Sequence, residues 1–366
     1  MADLEQIKKK LSTIHKYSDS ELDIIMPKLE EIDRIRKAKH AVILAHYYQI
    51  PPIQLIADKA GDSLALASYA KALPNEISLI VTSTVYFMAE MVKSMCPGKK
   101  VVIPDPKAGC SIADGMNVNA LRKIRENYPK AAIVAYINTT AEVKSEVDAV
   151  CTSANAGAIL SNIEGNPVIL LPDYFFSKNI ITGMRNKQNG KRYLAYKMID
   201  DGSIIMEDIL TGKEERIKIN EKEAPLLKDG TCMVHNKFTE FDIHEYRKNN
   251  RIDVVIAHPE VRPSIANMAD AVGGTEKMIE YLKGKPNMKN VLFITECDMA
   301  APLREAFPEK EFFTPCRFCD YMRKNNLNNL LDSLKKEIHE VNLGPEITQG
   351  ARRSMERMFE LTSMLP

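Results

Sequence analysis

An α/β fold made of three related units follows from two recurrences in this sequence. A β-rich apolar run ending on polar residues occurs at 41–46 (Ala-Val-Ile-Leu-Ala-His), at 131–138 (Ala-Ala-Ile-Val-Ala-Tyr-Ile-Asn) and at 253–260 (Asp-Val-Val-Ile-Ala-His-Pro-Glu). Each run leads into a helical stretch and later reaches a cysteine: Cys110, Cys232 and Cys319. From His46 to Cys110 is 64 positions (110 − 46), from His258 to Cys319 is 61 (319 − 258), and from Tyr136 to Cys232 is 96 (232 − 136). Self-similarity of this kind marks a repeated supersecondary unit. Strands alternating with helices give parallel sheets with right-handed crossovers. The expected molecule has three pseudo-threefold-related α/β domains, each with a short parallel sheet, and three sulfurs converging on the axis, a place for a metal cluster.

In chain order, residues 1–39 read as two amphipathic helices, the second running through Leu29, Ile32 and Ile35. Unit one then has a strand at 40–46, a helix at 53–72, a strand at 77–81, a helix at 85–95 and a strand at 100–104 before Cys110. Unit two has a strand at 131–137, a helix at 141–149, a turn at 151–155 and a strand at 167–171. Unit three has strands at 253–258, 290–295 and 311–314, and the stretch 327–365 is helical. Between 186 and 229 the pattern breaks: Gly190, Asp200-Asp201-Gly202, Thr211-Gly212 and Lys228-Asp229-Gly230 punctuate short alternating runs, which indicates hairpins inserted into the middle unit. They account for most of the extra spacing before Cys232. The domain boundaries expected are 1–120, 121–240 and 241–325, with C-terminal helices over 326–366.

Composition narrows the function. The 366 residues are 45% hydrophobic and carry 50 basic against 49 acidic side chains, a formal charge of +1. Such a balance gives no polybasic stripe for nucleic acid. No apolar run reaches the 18 or so residues of a membrane span, and Met-Ala-Asp-Leu-Glu-Gln at the start reads without the charged leader and apolar h-region expected of a signal peptide. A cytoplasmic protein is expected, with its seven cysteines mostly reduced.

Cys110 stands in a glycine-bearing loop after a strand, and Cys232 in Gly230-Thr231-Cys232-Met233-Val234-His235. Both suit the carboxyl ends of parallel strands, where open α/β sheets place their sites. Cys316 and Cys319 form a C-x-x-C pair, open by itself to zinc, redox exchange or chance. Three thiolates from three units leave a fourth coordination position open, which suits a Lewis-acid iron-sulfur cluster; buried structural cysteines are the competing reading. Cys96, Cys151 and Cys297 read as core or strand-end residues.

Longer motifs add to this. Leu44-Ala45-His46-Tyr47-Tyr48-Gln49, Gly61-Asp62-Ser63-Leu64, Phe87-Met88-Ala89-Glu90, Ala108-Gly109-Cys110-Ser111, the run 136–144 (Tyr-Ile-Asn-Thr-Thr-Ala-Glu-Val-Lys), Cys151-Thr152-Ser153-Ala154-Asn155 and His258-Pro259-Glu260 together resemble quinolinate synthases from about residue 40 to 325. The resemblance implies three α/β/α sandwich domains around a central [4Fe-4S] cluster. It implies condensation of iminoaspartate with dihydroxyacetone phosphate to quinolinate, a precursor of NAD, with loss of phosphate and water, and an iminoaspartate source such as L-aspartate oxidase. By resemblance Cys110, Cys232 and Cys319 hold the cluster, the last through Cys319-Asp320-Tyr321-Met322. Glu260 is the expected general base, Tyr48 and His46 serve the isomerisation, and His258 orients substrate or moves protons. Ser63, Tyr136, Asn138, Ser153, His235 and Thr275 match substrate-binding positions. Cys316 is expected to be no ligand and to bond reversibly with Cys319.

The chain departs from the family pattern where Gly273-Gly274-Thr275 stands for Gly-Ser-Thr, so one hydroxyl is missing, and at Val261-Arg262-Pro263 after Glu260. Two other classes compete. An iron-sulfur redox or iron-sensing regulatory protein, with the C-x-x-C pair as its switch, predicts a fourth protein ligand or a reversible disulfide and no substrate pocket, and a sugar-phosphate or amino-acid binding module with structural cysteines predicts no metal.

Overall fold

The computed structural model describes residues 3–184, 190–198, 203–219 and 229–363. The expected turn at Asp200-Asp201-Gly202, Lys228 and the last three residues lie outside them. Three short sheets follow one another along the chain. The first contains β1 (Ala41–His46), β2 (Lys59–Gly61), β3 (Leu79–Ser83) and β4 (Lys100–Val102). The second contains β5 (Ala132–Tyr136), β6 (Ala149–Cys151), β7 (Val168–Leu171), β8 (Tyr193–Met198), β9 (Ser203–Asp208) and β10 (Glu214–Lys218). The third contains β11 (Val254–Ala257), β12 (Ala271–Val272), β13 (Asn290–Ile294) and β14 (Glu311–Phe313).

Strand order repeats. It is β2-β1-β3-β4 in the first sheet, β6-β5-β7-β8 in the second and β12-β11-β13-β14 in the third. In the second sheet β8 is parallel to β7, and β9 and β10 extend that edge as antiparallel neighbours. Every residue of β1, β5, β7 and β11 is buried, as a parallel strand covered on both faces requires. The fold is α/β with three α/β layers of this kind. No helix among the described residues is long and apolar enough to cross a membrane.

One side chain fixes the start of each sheet. The carboxylate of Asp58 accepts the N–H of Ile43 at 2.8 Å, that of Asp148 the N–H of Ile133 at 2.7 Å, and that of Asp270 the N–H of Val255 at 2.8 Å. In each case the aspartate's own N–H returns to the carbonyl of the same strand residue. The separation is 15 residues every time. These clips explain why the helix expected at 53–72 is broken into Pro51–Ile56 and Ser63–Lys71: Asp58 must turn back to the strand, and Lys59–Gly61 then pairs with β1. A buried N–H without an acceptor costs about 1–3 kcal/mol. Asp270→Ala is therefore expected to lower the unfolding free energy, read from urea titration, by an amount in that range, and Asp270→Asn, which keeps an acceptor oxygen, by clearly less.

The chain divides into two compact units, Met1–Gly109, Tyr246–Val254 and Ile279–Leu343 in one, and Cys110–Glu245, Val255–Met278 and Gly344–Pro366 in the other. β13 and β14 belong to the first unit, and β12 with most of β11 to the second. In the first unit the helices Leu4–Thr13 and Asp19–Ala38 cover β1, β3 and β4: Leu29, Ile32 and Ile35 join Ile43, Ala45, Val81 and Val102 in one buried cluster, completed by Leu327, Leu330 and Leu334. The C-terminal stretch is two helices, Leu327–Lys336 and Pro345–Ser363. Glu337 ends the first in the left-handed conformation, φ 53°.

Candidate active site

The three cysteines that the sequence places in parallel share one local geometry. The carbonyl of Cys110 accepts the N–H of Asp114 at 3.0 Å, that of Cys232 the N–H of Asn236 at 2.9 Å, and that of Cys319 the N–H of Arg323 at 3.0 Å. A single 3₁₀ turn follows each, at Ala113–Gly115, His235–Lys237 and Met322–Lys324. A ten-residue helix then starts eight residues beyond each cysteine, at Val118, Glu240 and Leu327 (118 − 110, 240 − 232, 327 − 319). All three are half-buried thiols. Cys316 has none of this geometry: it is exposed and bonded to Cys297.

That disulfide corrects two expectations. Cys297 is no plain core residue, and the partner of Cys316 is Cys297 and not Cys319. The N–H of Cys297 donates to the Arg317 carbonyl at 3.0 Å, which draws the two segments together across 19 positions. The other five cysteines are thiols, as expected.

Most of the sequence-predicted site residues fall in the second unit, and several meet there. Tyr136, at the end of β5, donates its hydroxyl to Glu260 Oε1 at 2.7 Å. His235 Nδ1 lies 2.7 Å from Glu260 Oε2 and 3.1 Å from Cys232 Sγ. His258 stacks on His235 with centroids 4.6 Å apart, and its Nδ1 is 3.6 Å from Glu260 Oε2. All four of Tyr136, His235, His258 and Glu260 are buried. Burial alone would raise the Glu260 pKa, but the charges of His258 and His235 and the hydrogen bonds from His235 and Tyr136 outweigh it and hold the carboxyl well below its usual range. Glu260 is an anion set among proton donors.

Cys232, His235 and Glu260 offer ligand atoms within 4.8 Å of one another, so a cation could be held there. The Cys110 and Cys232 loops are laced together. Ser111 Oγ donates to the Thr231 carbonyl at 2.8 Å and accepts the Met233 N–H at 3.0 Å. Gly115 approaches so closely that a Cβ on it would lie 2.2 Å from the Gly230 Cα. In the same unit Ser153 packs against the Gly273–Thr275 turn, and Asn138 is half-buried at the end of β5.

The first unit holds the remaining predicted residues. His46 Nδ1 accepts the Tyr48 N–H at 3.1 Å, the two rings meet edge to face at 4.5 Å, and the Tyr48 hydroxyl bonds Thr295 Oγ1 at 3.1 Å. Ser63 opens the helix Ser63–Lys71. Cys319 donates its N–H to Glu296 Oε1 at 3.2 Å.

The aspartate clips put these residues in register. His46, Tyr136 and His258 each lie three residues beyond the clipped strand residue (46 − 43, 136 − 133, 258 − 255), and Tyr48, Asn138 and Glu260 each five beyond it (48 − 43, 138 − 133, 260 − 255). Ser63, Ser153 and Thr275 each lie five beyond the clipping aspartate (63 − 58, 153 − 148, 275 − 270). Three backbone positions thus carry nine of the candidate side chains. The comparisons with known proteins cover nearly the whole chain. A family model described as quinolinate synthetase A protein matches residues 30–360. The chain belongs to the quinolinate synthase family. Quinolinate synthase 2 of Mesorhizobium japonicum is 37% identical over 332 residues, 90% of each chain. The quinolinate synthase of Sinorhizobium fredii is 35% identical over 92% of this chain and 82% of that one, and that of Alkaliphilus metalliredigens 33% identical over 91% and 98%.

For a member of this enzyme family, sequence reasoning missed three supporting side chains. Asp173, after β7, is fully buried; Oδ1 caps the helix Tyr174–Gly183, and Oδ2 has no hydrogen-bond partner among the described residues. Burial and then the charge of Glu260 push its pKa well up. Asn179 Nδ2 donates to the carbonyls of Pro259 and Val261 at 2.8 and 2.7 Å and so fixes the loop that carries Glu260. Glu296 is the third. A signal existed for the clips, the parallel runs Ala57-Asp58, Val147-Asp148 and Ala269-Asp270, each reaching Gly or Cys three residues after the aspartate.

Proposed function

We propose that this chain condenses iminoaspartate with dihydroxyacetone phosphate to quinolinate, releasing phosphate and two waters, with Cys110, Cys232 and Cys319 holding a [4Fe-4S] cluster. The reaction feeds NAD biosynthesis. The observation that carries the reading is the common geometry of the three cysteines, which Cys316 lacks. The donor chemistry fits the group: three half-buried thiols, and at Cys232 a ring nitrogen 3.1 Å from the sulfur, where it can tune the ligand as an outer-shell partner. A bound cluster with one iron free of protein supplies Lewis acidity toward a substrate oxygen.

The chain's own residues supply positioning and proton transfer. Ser153, Thr275, Asn138 and, in the first unit, Ser63 are hydroxyl and amide donors suited to carboxylate and phosphate oxygens. Tyr48, with its hydroxyl on Thr295, and His46 serve the keto to aldehyde isomerisation as an acid-base pair. Glu260 accepts protons through the hydroxyl of Tyr136 and the ring of His235, because each of its oxygens is engaged by one of them. His258, stacked on His235, orients that ring.

Anaerobic purification tests the reading: about four iron and four sulfide per chain are expected. The loaded protein should form quinolinate from dihydroxyacetone phosphate, oxaloacetate and ammonium. A fully loaded protein that forms none would leave a regulatory iron-sulfur protein as the better account.

A further inference from the structure

The first and third sheets end at their fourth strands, but the second continues into β9 and β10. All six residues of β9 are buried, so this added strand is packed into the unit and does not merely decorate its surface. One of its side chains grips the helix Tyr174–Gly183. Glu207 Oε2 accepts the Tyr174 hydroxyl, and Glu207 Oε1 accepts the Lys178 ammonium at 3.0 Å. Lys178 Nζ also donates to the Tyr174 hydroxyl at 3.0 Å, and the ammonium groups of Lys178 and Lys197 lie 5.3 and 5.4 Å from the centroid of the Tyr174 ring. Glu207 is buried, where such bonds are strengthened by the low local dielectric.

The same helix holds both partners of the Tyr136–Glu260 hydrogen bond. Phe176 stacks on the Tyr136 ring with centroids 3.9 Å apart and planes 16° from parallel, and Asn179 holds the carbonyls on either side of Glu260, those of Pro259 and Val261. At about 100° of turn per residue, Tyr174 and Lys178 point roughly 150° away from Phe176 and Asn179. One face therefore meets the added strand and the opposite face meets the catalytic pair. A helix of ten residues is too short to stand alone, so its place is set by what grips it.

We propose that Glu207 and Tyr174 are positioning residues for the reaction: the added strand clamps the helix, and the helix, through Phe176 and Asn179, aligns the Tyr136 hydroxyl on Glu260. None of these four side chains is assigned a contact with a reacting atom. They act on the rate by placement, to which proton transfer is sensitive, since a shift of about 1 Å at a reacting group can cost roughly 10² in rate. This rests on the quinolinate synthase reading for the reaction that is timed.

The iron-loaded enzyme carrying Glu207→Ala, Glu207→Gln, Tyr174→Phe, Asn179→Ala or the pair E207A/N179A tests the clamp. The measurements are kcat and KM for quinolinate formation, iron content, and hydrogen exchange of the backbone over residues 258–261. Glu207→Ala, Tyr174→Phe and Asn179→Ala should each lower kcat by roughly 10–100-fold, with the KM of each substrate within about threefold of the parent. Glu207→Gln keeps an acceptor for the Tyr174 hydroxyl and should return to within about threefold of the parental kcat. Because Glu207 works through the helix, E207A/N179A should be no more than about threefold slower than the slower single variant. Exchange should quicken in Glu207→Ala and Asn179→Ala alike in the loop where the Val261 N–H rests on the His258 carbonyl at 3.2 Å. Iron should stay at the parental level. Tyr196 of β8 donates its hydroxyl to the Gly115 carbonyl at 2.9 Å, in the turn that follows Cys110, so a hairpin dislodged as a whole would show itself as lost iron.

Parental kcat in Tyr174→Phe overturns the proposal, and this variant removes a single oxygen, so the arm survives if Glu207→Ala does not fold. Losses that multiply in E207A/N179A overturn it also, as do raised KM values at unchanged kcat or lost iron in Tyr174→Phe. A parent that makes no quinolinate defeats the functional reading instead, and the exchange measurement then decides the clamp alone.

Discussion

Cys110→Ser, Cys232→Ser and Cys319→Ser proteins purified without oxygen are expected to carry far less iron than the roughly four atoms of the parent, while Cys316→Ser keeps the full complement. Each of the first three cysteines heads the same turn, its carbonyl held by an N–H four residues on, so each sulfur leaves the backbone from one defined geometry. Loss of one thiolate leaves an iron without its protein ligand, and serine is a poor replacement for a soft donor. Cys316 lies on the exposed side of a disulfide to Cys297, and its removal frees Cys297 as a thiol without touching the turn that begins at Cys319. Iron and sulfide analysis with the visible absorption of the cluster reads the result. Full iron in any one of the three ligand variants removes that cysteine from the set, and loss of iron in Cys316→Ser would move the third ligand to the other end of the C-x-x-C pair.

Glu260→Gln and Tyr48→Phe should both be folded and brown but slowed by roughly 10²–10⁴ in quinolinate formation. At Glu260 the change removes the negative charge that His235 and His258 face, and it turns one acceptor oxygen into an NH₂ donor. Either the Tyr136 hydroxyl or the His235 ring then loses its acceptor. At Tyr48 the ring and its contact with His46 stay, and only the hydroxyl on Thr295 goes. Single-turnover assays separate them, because Tyr48→Phe is expected to fail before the first carbon-carbon bond and Glu260→Gln after substrates have bound. Near-parental turnover with unchanged iron in either variant would strip that residue of its role.

Much of the frame was legible because parallel strands buried on both faces are runs of apolar residues. The strand read at 253–258 is β11, Val254–Ala257, and that at 131–137 is β5, Ala132–Tyr136. What escaped was short or local. β6 and β12, three and two residues long, are too brief to show a period, and each follows an aspartate that a strand pattern disfavours. The single helix read at 53–72 failed for the same reason, since Asp58 is spent on the Ile43 N–H. Residue types at strand ends announced candidate chemistry, but pairing between residues 124 positions apart, as Tyr136 and Glu260 are, leaves no trace in spacing. The Cys297–Cys316 bond was hidden likewise, because the N–H of Cys297 finds the Arg317 carbonyl only after β13 and β14 have been laid side by side.

The aspartate clip has an evolutionary consequence. By fixing two strand-end positions and one position past the aspartate at constant sequence separations, it gives three segments a common main-chain frame in which the side chains vary. One such slot now holds His46, Tyr136 and His258, and another Tyr48, Asn138 and Glu260. An ancestor with three identical segments could acquire an asymmetric reaction by point substitution alone, each segment specialising while its siblings kept the old chemistry. Altered substrates should be reachable by the same route, by trading residues between sibling slots rather than by rebuilding loops.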